Sequence, residues 1–280
     1  MAHIVGGVGT SHVPSIGAAL DNDLVGTPYW KPLFDGYERA REWMRDIEPD
    51  VVILIYNDHA NAFSMQLIPT FVLGVAAQFT PADEGWGARQ VPTVIGHPEL
   101  AWHLAESLIL DEFDLPIANE LDVDHGLTVP LSILCGSPER WPFKVIPLAV
   151  NVIQYPPPTG RRCYALGRAV RTAIASYPED LKIVVVGTGG MSHQLAGGRA
   201  GLINSSFDDA FFDRITDDPA GQAEMSHLEY LRDGGAESVE LVMWLVMRGA
   251  LGDKATEVHR HYHVPASNTA AGLLVLEPVT

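Results

Sequence analysis

The chain has 280 residues, 47% of them hydrophobic, with 18 lysines and arginines against 35 aspartates and glutamates and a formal net charge of −17. A core of that size suits a single α/β domain, and so negative a balance repels a phosphate backbone and an anionic membrane surface, which excludes nucleic acid and membrane as natural partners and leaves the charge to solubility. Two cysteines, Cys135 and Cys163, are too few for a disulfide framework, no apolar stretch approaches a membrane span, and MAHIVGGVGTSH lacks the layout of a signal sequence, so a soluble protein of the reducing cytoplasm is expected.

In chain order, continuous β-branched runs appear at Ile4 to Val8, Val51 to Tyr56, Val145 to Val150, Ile183 to Val186 and Leu273 to Leu276. Runs without alternation suit strands covered on both faces by helices. Between them, Glu99 to Leu110 and Cys163 to Tyr177 carry apolar residues at helical spacing, and Gln154 to Gly160 and Thr80 to Pro92 are loops punctuated by proline and glycine. The pattern predicts a three-layer α/β/α sandwich around a parallel or mixed sheet, one domain over residues 1–280.

Three of the strands run into histidine: His12 after the first, His59 after the second and His193 after IVVVGTGG. Ligands in open α/β sheets bind beyond the carboxyl ends of strands, so three imidazoles emerging there are placed to converge. A single histidine in such a position is more simply a strand terminator, but three are not.

Glu240 lies in AESVELVMWLVMRG, apolar on nearly every face and so expected as a buried helix. A buried carboxylate needs a cation, which means a metal or an ion pair such as one with Arg248. Two histidines and a carboxylate suit both a non-haem iron(II) oxygenase and a catalytic zinc site, and ligand types alone leave that open.

Taken together, TSHVP, YNDHA, PADEGWG, DVDHG, GTGGMSHQL, RAGLIN, ELVMWLVMRGAL and HVPASNTA resemble the type II extradiol ring-cleavage dioxygenases over essentially the whole chain, most closely the β subunits of protocatechuate 4,5-dioxygenases. The resemblance implies iron(II) held by His12, His59 and Glu240, His193 as catalytic acid/base, and His125 beside the metal. It further implies a carboxylated catechol and dioxygen as substrates, protocatechuate first with gallate or 3-O-methylgallate as the alternative. A small helical α subunit is expected to complete an α2β2 assembly. A zinc hydrolase or a non-catalytic relative on the same fold would share much of this pattern.

Ser267 and Asn268 in HVPASNTA have two readings, as donors to a ring carboxylate or as turn residues. Asn57 and Asp58 either orient His59 or, for Asp58, cap the following segment. GTGG at Gly187 to Gly190 lacks the spacing of a phosphate loop. His259, His261 and His263 alternate as on an exposed polar strand or loop, and Trp86 and Trp141 are expected in packing rather than in a ring pocket.

Overall fold

The computed structural model describes residues 1–279. β1 (His3–Thr10) leads into α1 (Pro14–Asp21), α2 (Lys31–Gly36) and α3 (Glu38–Ile47). β2 (Val51–Tyr56), β3 (Phe71–Gly74), β4 (Gln78–Phe79) and β5 (Val94–Ile95) precede α4 (Pro98–Leu110). β6 (Ile117–Ala118), α5 (His125–Cys135), β7 (Lys144–Val150), α6 (Gly160–Ser176) and β8 (Lys182–Thr188) follow. The chain continues through α7 (Ser205–Asp217), α8 (Pro219–Ala223), α9 (His227–Glu229) and α10 (Val242–Ala250) to the hairpin of β9 (Ala255–Ala266) and β10 (Thr269–Pro278).

An eight-stranded sheet has the order β6-β3-β7-β2-β8-β1-β10-β9. β1, β8, β2 and β7 are mutually parallel, whereas β3 joins β7, and β10 joins β1, antiparallel. The sheet is therefore mixed. Its strands are buried on both faces because alternate residues serve different helical layers. In β2, Val51, Ile53 and Ile55 pack in the core that also holds α4, α6, α7 and α10, while Val52, Leu54 and Tyr56 pack in the core holding α1, α2, α3 and α5. This is a three-layer sandwich, and it explains why the strands read as unbroken apolar runs.

The histidines of the HRHYH segment lie on β9, paired antiparallel to β10 at the sheet edge. β3, although it opens the apolar run FVLGVAA, and the two-residue strand β6 are not among the strands expected from the sequence. No helix among the described residues is long and apolar enough to cross a membrane.

What positions the site is the common end of β1, β8 and β2. Register pairs Gly9 with Gly187 and Thr10 with Thr188, and Ile55 with Gly187, so the three parallel strands finish in one row. Glycine in that row lets α10 approach closely: a Cβ on Gly9 would stand 2.1 Å from Trp244 Cε3. Gly9→Ala is accordingly expected to lower unfolding free energy by about 1–3 kcal/mol by overpacking, whereas Gly26→Ala, with nothing within 4 Å of its added Cβ, stays within about 0.5 kcal/mol of wild type. Chemical denaturation of the two variants measures the difference.

Candidate active site

His12 lies two residues beyond β1, His59 three beyond β2 and His193 five beyond β8, so all three emerge at the carboxyl ends of adjacent parallel strands. Glu240 comes from the opposite direction along the chain, in a 3₁₀ turn over Ala236–Leu241 that feeds directly into α10. Rather than the continuous helix the sequence suggested, this tighter turn carries the carboxylate down to the sheet. One ligand atom each from His12, His59 and Glu240 lies within 4.8 Å of the others. His12 Nε2 is 3.2 Å from Glu240 Oε2, and His193 Nε2 is 3.9 Å from the same oxygen.

Glu240 is buried, and its surroundings test the two readings of its charge. Arg248 spends its guanidinium on the carbonyl oxygens of Ile215, Thr216, Gly252 and Asp253, so the ion pair is not made. Among the described residues no lysine or arginine pairs with Glu240; its neighbours are the imidazoles and the backbone N–H of Gly190, which donates to Oε2 at 2.7 Å. Burial pushes the Glu240 carboxyl up, but the imidazoles of His12, His193 and His59 outweigh it and hold the group well below the usual carboxylate range. The GTGG turn thus cradles a carboxylate. Gly189 has φ 133°, and a Cβ there would meet Glu240 Cβ at 2.8 Å, so only glycine fits.

Each imidazole is anchored through Nδ1. His12 Nδ1 is 3.0 Å from Thr188 Oγ1, His59 Nδ1 is 2.9 Å from Asp124 Oδ2, and His193 Nδ1 donates to Met191 O at 2.8 Å. His125 Nδ1 makes a close contact with Glu84, whose other oxygen accepts the His125 backbone N–H at 2.9 Å. His125 stacks on His59 with ring centroids 3.8 Å apart and stands 6.0 Å from the His12 ring. With Nδ1 committed, His12 and His193 turn Nε2 toward Glu240, while His59 Nε2 faces Asn57 Nδ2 at 3.0 Å. Two imidazoles and a carboxylate gathered, among the described residues, without a lysine or arginine form a donor set suited to a divalent metal ion.

Asp124, Glu84 and Thr188 were not singled out from sequence. Asp124 is wholly buried, accepts the His59 backbone N–H at 2.6 Å, and caps α5 by accepting from Gly126 N at 2.9 Å. Burial opposes its ionisation, yet hydrogen bonding and charge from His59 hold its pKa down to about 2. Its cap position ahead of an apolar run was the available signal. Glu84 and Thr188 carried none, since their partners lie 41 and 176 residues away.

Other expectations resolve locally. Asn57 Nδ2 lies 3.0 Å from His59 Nε2, so Asn57 does touch that ring, whereas Asp58 accepts from the backbone of Asn61, Ala62 and Phe63 and holds the loop. Ser267 and Asn268 form the exposed tip of the β9–β10 hairpin, with Ser267 at φ 60° and its N–H donating to Tyr29 Oη. They do not touch the cluster, but Thr269 beside them bridges to His193. His259 donates to Gly36 O and His261 packs on Gly36, so these rings serve the packing of α2. Trp141 is buried, and Trp86 is exposed on the loop that carries Glu84.

Comparison with known proteins fits this geometry. A family model described as the catalytic LigB subunit of aromatic ring-opening dioxygenase matches residues 6–272. Gallate dioxygenase of Pseudomonas putida KT2440 is 45% identical over 194 residues, 69% of this chain and 57% of that protein. A 2,3-dihydroxyphenylpropionate/2,3-dihydroxicinnamic acid 1,2-dioxygenase of Mycobacterium ulcerans is 36% identical over 156 residues, 55% of this chain and 47% of its own. The chain thus spans about half the length of these relatives. The crystal structure of uncharacterized protein JW3007 from Escherichia coli K12 superposes with a TM-score of 0.59 at 16% identity, covering 97% of this chain and 99% of that one, a likeness of fold. The extent of the family match shows that the chain belongs to the family of LigB-type catalytic subunits of aromatic ring-opening dioxygenases.

Proposed function

We propose that this chain carries the catalytic centre of an extradiol dioxygenase that opens the ring of a carboxylated catechol, with His12, His59 and Glu240 holding iron(II), His193 as the acid/base and His125 beside the substrate. The observation that carries the reading is the meeting of two anchored imidazoles and a buried, otherwise uncompensated carboxylate within 4.8 Å. The ring-opening family match over residues 6–272 supports the chemistry and one catalytic domain over the chain. Iron(II), when bound, supplies the redox chemistry through which dioxygen reacts with a diol.

The roles of the chain's own groups follow from their hydrogen bonds. Because Met191 O can only accept, His193 carries its proton on Nδ1 and presents a basic Nε2. That nitrogen can take a proton from a ring hydroxyl of the substrate and return it during ring opening. His125, with Nδ1 held by Glu84, offers Nε2 as a polar contact for the bound diol or its oxidant. Asp124 fixes the ring plane and tautomer of His59.

Substrate choice is the finer question. The 45%-identical relative is a gallate dioxygenase, which favours gallate over the protocatechuate suggested by the sequence motifs. Ser267 and Asn268 are proposed to meet the ring carboxylate from the hairpin tip next to Thr269. Exposed apolar side chains on the loops that carry site residues, Met65, Leu67 and Trp86, support a partner covering this edge, for which a small helical α subunit is the proposed occupant. Free Cys135 and Cys163 accord with a reducing compartment.

In an anaerobically iron-loaded assay, oxygen uptake and a yellow ring-opened product are expected with gallate ahead of protocatechuate; stoichiometric zinc with no oxygen uptake on any diol would instead indicate the hydrolase. Glu240→Ala should lose the metal, whereas His193→Ala should retain it and lose about 100-fold or more in turnover; equal metal loss in both would contradict the assigned roles. Asp124→Asn is expected to weaken iron affinity by about 10- to 100-fold, read by titration calorimetry under anaerobic conditions.

A further inference from the structure

Ser192, the residue before His193, belongs to a second polar cluster that the proposed chemistry does not use. Its backbone N–H donates to Asp208 Oδ1 at 2.7 Å and its hydroxyl to Asp208 Oδ2 at 2.6 Å, while Tyr262 of β9 donates to Oδ2 at 2.7 Å. The same Ser192 hydroxyl accepts from Asn204 N at 2.8 Å. Asp208, on α7, is fully buried, and among the described residues no lysine or arginine pairs with it. Burial pushes its carboxyl pKa up, against the hydrogen bonds of Ser192 and Tyr262. A buried carboxylate satisfied only by neutral donors is costly and needs a reason to be there.

Its partners supply the reason. Segment Met191 to His193 has no regular structure of its own and is held from several sides: Met191 N–H donates to Ala270 O, Ala270 N–H to Ser192 O, and His193 N–H to Gly234 O. Asp208 adds the grip on Ser192, and through Tyr262 it joins that grip to the strand that returns as β10 with Thr269 against His193. Each of its three donors therefore belongs either to the residue next to the imidazole or to the hairpin beside it.

We infer that Asp208 is a positioning residue: through Ser192 it sets the orientation of the His193 imidazole, and through Tyr262 it fixes the same segment against the hairpin that carries Ser267 and Asn268. The inference rests on the reading of His193 as the acid/base. An amide of the same shape does not substitute. Asparagine has one acceptor oxygen for three donors, and its NH2 group would compel the Ser192 or Tyr262 hydroxyl to turn away.

The experiment uses the whole, iron-loaded protein with Asp208→Asn and Ser192→Ala, and Asp213→Asn, an exposed carboxylate on α7, as control. In the first two, kcat per bound iron should fall by about 10- to 100-fold, as displacement of a catalytic group by about 1 Å does, with iron affinity retained, KM little changed and the pH profile of kcat displaced. In a crystal structure of Asp208→Asn the His193 Nε2 should leave its place 3.9 Å from Glu240 Oε2. The control should match wild type. Wild-type kcat per iron and an unmoved pH profile, even with a lowered melting temperature, would overturn the inference, and if Asp208→Asn fails to fold, Ser192→Ala decides. Should wild type open no diol at all, the dioxygenase reading fails by itself. The His193 ring position in Asp208→Asn then still decides the role of Asp208, an unmoved ring refuting it.

Discussion

A carboxylate buried among imidazoles is the constraint from which the rest of this structure follows. Glu240 lies where the helical layer meets the ends of three parallel strands, and among the described residues no arginine or lysine balances it. Taking such a group out of water is tolerable only where several donors or a cation compensate. The chain arranges its backbone to that end: Gly190 turns an N–H toward the carboxylate, Gly189 leaves room for its Cβ, and a 3₁₀ turn ahead of α10 lowers it toward the sheet. The apolar length of α10, packed on β1 and β8, is what keeps that turn from moving.

The imidazoles obey a common rule. Each of the four is fixed from behind through Nδ1, by a hydroxyl, a backbone carbonyl or a carboxylate. The anchors differ in strength, and the difference suits the proposed roles. His59 and His125 are gripped by carboxylates that also take their backbone N–H groups, which fixes ring and main chain together. His193 is held at Nδ1 by a backbone carbonyl, which keeps a proton on that nitrogen and leaves Nε2 as the atom that takes and gives one.

Around this centre the residues proposed for substrate recognition lie on loops. The hairpin tip with Ser267 and Asn268, the loop with Glu84 and Trp86, and the loop after His59 are attached to the same sheet edge, so one rigid frame presents several variable surfaces.

The sequence by itself determined the layered architecture and which residues are candidates. Unbroken β-branched runs read as strands covered on both sides, and a histidine after each of three of them lies at one end of the sheet once the strands are parallel. A glutamate in an apolar helix announces a buried charge, but not whether Arg248 would answer it; the tertiary structure excluded that ion pair by giving Arg248 to four carbonyls. The tertiary structure also decided every anchor. Asp124 meets His59 across 65 residues, Glu84 meets His125 across 41, and Asp208 binds the residue before His193 from another helix. Such pairs leave no periodicity or spacing to read, because they are set by where strand ends and helix starts come to rest in space, whereas hydrophobic pattern is written residue by residue along the chain.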